Sequence, residues 1–202
     1  MTLRHKFLLI PLLLTAGPCT QAADVVHHHM QIALSPSDGR IAVQDRIEVP
    51  ADRNNWVFTL HGGLNPAVTG GNASLRSLGR TGDLERFSLD LEAGAGTPTL
   101  SYSGIIHHEF NHIRESPGRA RAWTRGTISG DGVFLDANSG WYPRFEHSLQ
   151  TFELRVELPE GWLAVSQGRG PDTQAGGGKV QVSWRERQPQ DDLYLVAGPF
   201  HL

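Results

Sequence analysis

The chain has 202 residues, a net charge of −3 and a single cysteine, Cys19. That length supports one domain with a proper core. The near-neutral charge gives no basis for a nucleic-acid partner or an attraction to a charged membrane surface, and one cysteine cannot form an internal disulfide.

Arg4, His5 and Lys6 precede an apolar run at residues 7–14, broken only by Pro11, and a small-residue region follows. This order reads as a removable export signal over residues 1–23, with Thr20-Gln21-Ala22 or Gln21-Ala22-Ala23 as the cleavage motif. The run is far shorter than the ~20 residues a membrane-spanning helix needs. A lipid anchor on Cys19 is the competing reading, but Pro18 stands where such a motif takes a small residue. Cleavage removes the only cysteine. A cysteine-free exported domain over residues 24–202 suits a bacterial periplasm better than a eukaryotic secretory route, and no membrane contact is expected once the signal is gone. The sequon Asn72-Ala73-Ser74 is too short a pattern to argue otherwise.

From residue 27 the apolar period is two. His28, Met30, Ile32 and Leu34 alternate with His27, His29, Gln31 and Ala33. Ser35-Pro36-Ser37-Asp38-Gly39 then makes a turn, and Ile41, Val43, Ile47 and Val49 line one face of the next run. These two segments predict a hairpin. Further alternating runs follow at 56–60, 87–91, 100–102, 154–158, 180–184 and 193–197, each bounded by Gly, Pro, Asn or Asp. Glycines gather in the connections, as at Gly70-Gly71, 94–96 and 176–178. One apolar face and one polar face per run predict an all-β, antiparallel two-layer sandwich or saddle of about eight to ten strands. The arginine-rich stretch 104–130, interrupted by Pro117-Gly118, resists assignment. Its arginines at 114, 119, 121 and 125 lack the interleaved aromatics of a base-stacking surface.

That stretch contains His108-Glu109-Phe110-Asn111-His112, a match to H-E-x-x-H. On a helix the two histidines would share a face and bind zinc, with Glu109 as general base and Asp131 as a third ligand nineteen positions after His112. Such a site needs rigid helices behind it. Here the motif leaves a strand and soon meets Pro117-Gly118, and Asp131 sits in the turn sequence Ser129-Gly130-Asp131-Gly132. The reading that follows is polar residues in a loop, with no catalytic residue, metal ligand or cofactor in this chain. His27 and His29, on one face of a strand, would need more partners to hold a metal ion. There is no G-x-S-x-G nucleophile elbow and no phosphate-cradling glycine loop.

Several segments in order resemble the N-terminal β-domain of the aminopeptidase N family of zinc metallopeptidases. Tyr102-Ser103-Gly104-Ile105 resembles a Y-x-G strand end, and Gly132-Val133-Phe134-Leu135 followed by Trp141-Tyr142-Pro143 resembles the segment leading to a W-Y-P turn. Phe152-Glu153-Leu154-Arg155-Val156-Glu157-Leu158-Pro159, residues 162–168, and Tyr194-Leu195-Val196-Ala197-Gly198-Pro199-Phe200 match later strands. The resemblance implies a non-catalytic domain that docks on a zinc-peptidase catalytic domain, in cis or in trans, and shapes the peptide cleft. Peptide is then met only indirectly, and zinc is expected in the catalytic domain of full-length relatives. The family's G-x-M-E-N loop, zinc helix and glutamate ligand do not follow Phe200 in this sequence. The resemblance also puts residues 108–112 in a variable loop, and no position between Thr127 and Pro143 is assigned the amine-holding role that some relatives give this domain. Trp141 and Tyr142 beside Pro143 suit an interface or, preferably, a core plug. Two other readings remain. A self-contained zinc hydrolase predicts a helix over the histidine motif, and a free-standing periplasmic binding sandwich predicts a concave pocket.

Overall fold

The computed structural model describes residues 23–92, 97–109, 111–116 and 119–200. The signal segment expected over residues 1–23 lies almost wholly outside them. The strands, in chain order, are β1 (Asp24–Ser35), β2 (Arg40–Glu48), β3 (Asn55–His61), β4 (Ala67–Gly70), β5 (Ala73–Thr81) and β6 (Leu84–Leu91). There follow β7 (Thr99–Ile105), β8 (Asn111–Ser116), β9 (Arg119–Trp123), β10 (Thr127–Ser129), β11 (Gly132–Leu135) and β12 (Arg144–Phe145). The last are β13 (Ser148–Pro159), β14 (Leu163–Val165), β15 (Arg169–Gly176), β16 (Lys179–Gln190) and β17 (Leu195–Gly198). Among the described residues the only helices are two single 3-10 turns, Pro36–Asp38 and Ala137–Ser139, and none is long and apolar enough to cross a membrane.

The expected hairpin is present. β1 and β2 pair antiparallel, with Ile32 opposite Val43, and the alternation buries every second residue from Val26 to Leu34 and from Ile41 to Ile47. They sit at the middle of a seven-stranded sheet of order β15-β16-β13-β1-β2-β7-β4. A four-stranded sheet, β12-β3-β6-β5, a second, β10-β11-β17-β14, and the β8-β9 hairpin complete the architecture. Two features differ from expectation. Among the described residues there are seventeen strands, because polar edge strands such as β5 and β15 have too little apolar alternation to be read. One pairing is parallel, β1 with β13, brought together by a long crossover that a local pattern does not register.

The layers close on one core. Phe58 of β3 stacks on Phe87 of β6 with centroids 5.5 Å apart and meets Phe145 of β12 at 5.3 Å. Phe145 in turn lies 6.0 Å from His28 of the large sheet, which joins the layers. Gly104 of β7 allows a tight crossing, since a Cβ there would stand 2.0 Å from the Gly63 carbonyl oxygen. Gly140 closes the 3-10 turn at φ 61°, and its carbonyl accepts from the His61 amide at 2.7 Å.

One polar cluster is sealed inside. His28 and Asp45 are both 0% exposed, with His28 Nδ1 2.7 Å from Asp45 Oδ2 and Nε2 2.9 Å from Gln150 Oε1. The Gln150 amide nitrogen donates to Ser148, which turns its oxygen toward the imidazole. The ring is thus held from both sides, by Asp45 at Nδ1 and by Gln150 at Nε2. It ties together β1, β2 and β13, the three central strands.

Candidate interaction face

The zinc-hydrolase alternative rests on His108, Glu109, His112 and Asp131. His108 and Glu109 lie in irregular backbone, and His112 lies in the extended strand β8, so no helix presents the motif. Strands stand on both sides of it, as the domain reading requires. His108 and Glu109 do share a surface depression of about 480 Å³ with Asp131, yet no three imidazole, thiol or carboxylate groups converge as a metal set among the described residues. His108 turns instead toward Asp83, Nε2 to Oδ2 4.0 Å, and toward His61, ring to ring 5.8 Å. Arg125 Nη1 holds the same Asp83 oxygen at 2.9 Å. Burial, and then the neighbouring His108, push the His61 pKa down. His61 Nδ1 accepts from the Gly63 amide at 3.1 Å, so its hydrogen sits on Nε2, the wrong tautomer to offer that nitrogen to a metal.

Trp141 and Tyr142 are 0% exposed. The interface role is corrected by the fold: both rings fill the core, and Trp141 Nε1 donates to the Leu193 carbonyl at 3.2 Å. Among the described residues the Tyr142 hydroxyl has no hydrogen-bond partner, and burial, followed by nearby Asp192, raises its pKa well above the ordinary phenol value. Asp192 is raised as well, by desolvation first.

The surface with the marks of an interface lies elsewhere, on the sheet β10-β11-β17-β14. Its inner side is ordinary core: Ile128, Val133, Leu135, Ala164, Leu195 and Ala197 are buried. Its outer side is apolar too. The register sets Phe134 of β11 opposite Val196 of β17, and Val196 opposite Val165 of β14, in one row across three strands. Tyr194 precedes Val196 on the same alternation, and the Phe200 ring covers Gly198, 3.2 Å from where a Cβ would stand. Phe134 is 38% exposed, Tyr194 39%, Val165 47% and Phe200 47%. Only three other large apolar side chains are comparably exposed among the described residues (Val25, Leu78 and Ile105), and each lies on another strand. The 480 Å³ depression adjoins this face, floored by Phe134, Val196 and Phe200 and rimmed by Glu109 and Asp131. A contiguous apolar patch rimmed by polar groups is the usual mark of a protein contact. Sequence reading missed it, although a signal was present: Val133-Phe134-Leu135 and Leu195-Val196-Ala197 are apolar at every position, the pattern of a strand covered on both faces.

Comparison with protein-family models gives no match, and comparison with curated protein sequences gives none. Solved structures do match. The M1 zinc metallopeptidase of Deinococcus radiodurans aligns with a TM-score of 0.53 at 16% identity over 87% of this chain. A variant of it bound to a Tyr-Ser-Ala substrate gives 0.53 at 17%. Yeast LTA4 hydrolase in complex with Bestatin gives 0.56 at 12%, again over 87% of this chain. The shared fold is that of one part of these enzymes. This chain spans 42% of the length of the substrate-bound Deinococcus chain and 28% of the yeast one.

Proposed function

We propose that this chain is a non-catalytic β-domain of the M1, aminopeptidase N-like zinc metallopeptidase type, which docks on a peptidase catalytic domain through the outer face of β10-β11-β17-β14 and walls one side of the peptide cleft. The observation that carries the reading is the apolar row Phe134, Val196 and Val165, with Tyr194 and Phe200 beside it, on a domain whose fold recurs as under half of longer zinc-peptidase chains. A peptidase domain is the occupant the comparison favours, because each matched enzyme has most of its chain outside the shared fold. Zinc then belongs to that catalytic domain, and this chain meets peptide only at the cleft wall. Residues 1–23 export the protein to a bacterial periplasm, where the domain stays soluble after cleavage.

The test is titration calorimetry of the purified chain against the zinc-peptidase catalytic domain encoded in the same genome, linked or separate. The expected outcome is a stoichiometric complex that Phe134→Asp weakens by about 2–4 kcal/mol, as for a central aromatic contact. Absence of binding by the wild-type chain, or full binding by the Phe134→Asp variant, would remove the docking reading.

A further inference from the structure

The open face of the seven-stranded sheet is built unlike the docking face. Reading across β15, β16, β13, β1 and β2, the register places Arg169, Arg185, Glu153, His29 and Arg46 in a single row. Arg155 stands in the next row, opposite Ser183. These side chains line a depression of about 470 Å³. Directly opposed like charges destabilise an antiparallel pair, and here Arg169 and Arg185 are such a pair.

The neighbouring carboxylates do not resolve this opposition. Glu153 Oε1 forms an ion pair with Arg185 Nε at 2.8 Å and faces His29 Nδ1 at 3.5 Å. Glu48 lies 3.0 Å from His29 Nε2 and 3.3 Å from Arg46 Nη1. With Glu153 and Glu48 committed in this way, neither Arg155 nor Arg169 has an ion-pair partner among the described residues. The remaining acid, Asp172, lies opposite Ser183 on β15 and leaves the arginines in excess. Arg185 itself reaches Glu153 through its Nε.

We infer that this depression is an oxyanion site for a phosphate-type group, held by Arg155, Arg169 and Arg185. A carboxylate has two oxygens and satisfies one planar guanidinium fork well. A phosphomonoester offers three oxygens and more than one charge, which matches three guanidinium groups around one hollow. Bound there, it takes the place of the missing counter-charge between Arg169 and Arg185. The site is independent of the docking face, which is on another sheet.

Inorganic phosphate is the first probe, titrated calorimetrically and followed by thermal unfolding against chloride of equal ionic strength. The expected result is saturable binding and a raised Tm, both lost in the double variant Arg155→Gln/Arg169→Gln. All three arginines are exposed, so the variants keep the fold. In phosphate-free buffer, Arg169→Gln alone raises the Tm slightly by relieving the like-charge pair, and in phosphate it lowers the Tm relative to wild type. Sedimentation with phosphatidylcholine vesicles, with and without phosphatidic acid, separates a lipid-borne phosphate from a free one. Binding to both probes assigns the site to phosphomonoesters in general, and binding to inorganic phosphate alone assigns it to a soluble one. A phosphate effect no larger than that of chloride, or one unchanged in the double variant, overturns the inference.

Discussion

Replacing Asp45 with alanine tests the account of the core most directly. The carboxylate and the His28 imidazole are both fully buried, 2.7 Å apart, and the other imidazole nitrogen is committed to Gln150. Asp45→Ala therefore strands an imidazole N–H in the core with no acceptor in place of Oδ2. Removing one partner of such a buried pair costs about 3–5 kcal/mol. Set against the roughly 5–15 kcal/mol that holds a domain of this kind folded, that is a large share. For a domain of this length each kcal/mol moves the Tm by roughly 2–4 °C, so the variant should melt on the order of 10 °C lower. Urea unfolding, followed by tryptophan fluorescence at neutral pH, measures the loss. A double-mutant cycle separates the pair from its surroundings: His28→Leu and Asp45→Leu should each be strongly destabilising. The double variant, with both polar groups gone, should recover much of the loss. An Asp45→Ala variant within about 1 kcal/mol of wild type, together with additive single substitutions, would refute the coupled pair.

Two other substitutions follow from the same core. Trp141→Ala should cost about 3–5 kcal/mol in urea unfolding, as large-to-small changes at a filled core position do, whereas an interface tryptophan would leave the domain's own stability nearly unchanged. Asp192 is half-buried and its pKa is raised, chiefly by desolvation. The folded state then holds that proton to higher pH than the unfolded chain, so stability is lost as the pH rises from the unfolded carboxyl value through the raised one. Asp192→Asn should accordingly melt higher than wild type at neutral pH and no higher below the ordinary carboxyl range. A difference in Tm that does not change with pH would count against the raised value.

The fold class was legible in the sequence because a half-buried strand writes its burial residue by residue. The β1-β2 hairpin, β3, β13 and β16 carry the period-two alternation that the structure buries. Trp141 and Tyr142 beside a turn were also readable as core on size alone. The strands that went unread are those whose residues pack little: β15 is exposed at every position, and β5 nearly so, so no apolar rhythm marks them. Backbone pairing with a neighbour defines such strands, and pairing is not a local property.

Everything concerning function depended on which distant residues became neighbours. The pairing of β1 with β13 puts His29 opposite Glu153, and β16 and β15 add Arg185 and Arg169 to the same row; these residues are up to 156 positions apart, as Arg185 is from His29. A motif such as His108 to His112 fixes spacing along the chain. Whether that spacing puts two residues on one helical face depends on the secondary structure it adopts, and here His108 lies in irregular backbone and His112 in the strand β8. Phe134 and Val165 were each visible as apolar residues in short strands. Only the register through Val196 makes them one surface. The sequence by itself determined that this chain buries alternate residues in sheets. The order and register of those sheets decided which of the remaining side chains share a face, because cross-strand contacts follow from tertiary pairing and not from position in the chain.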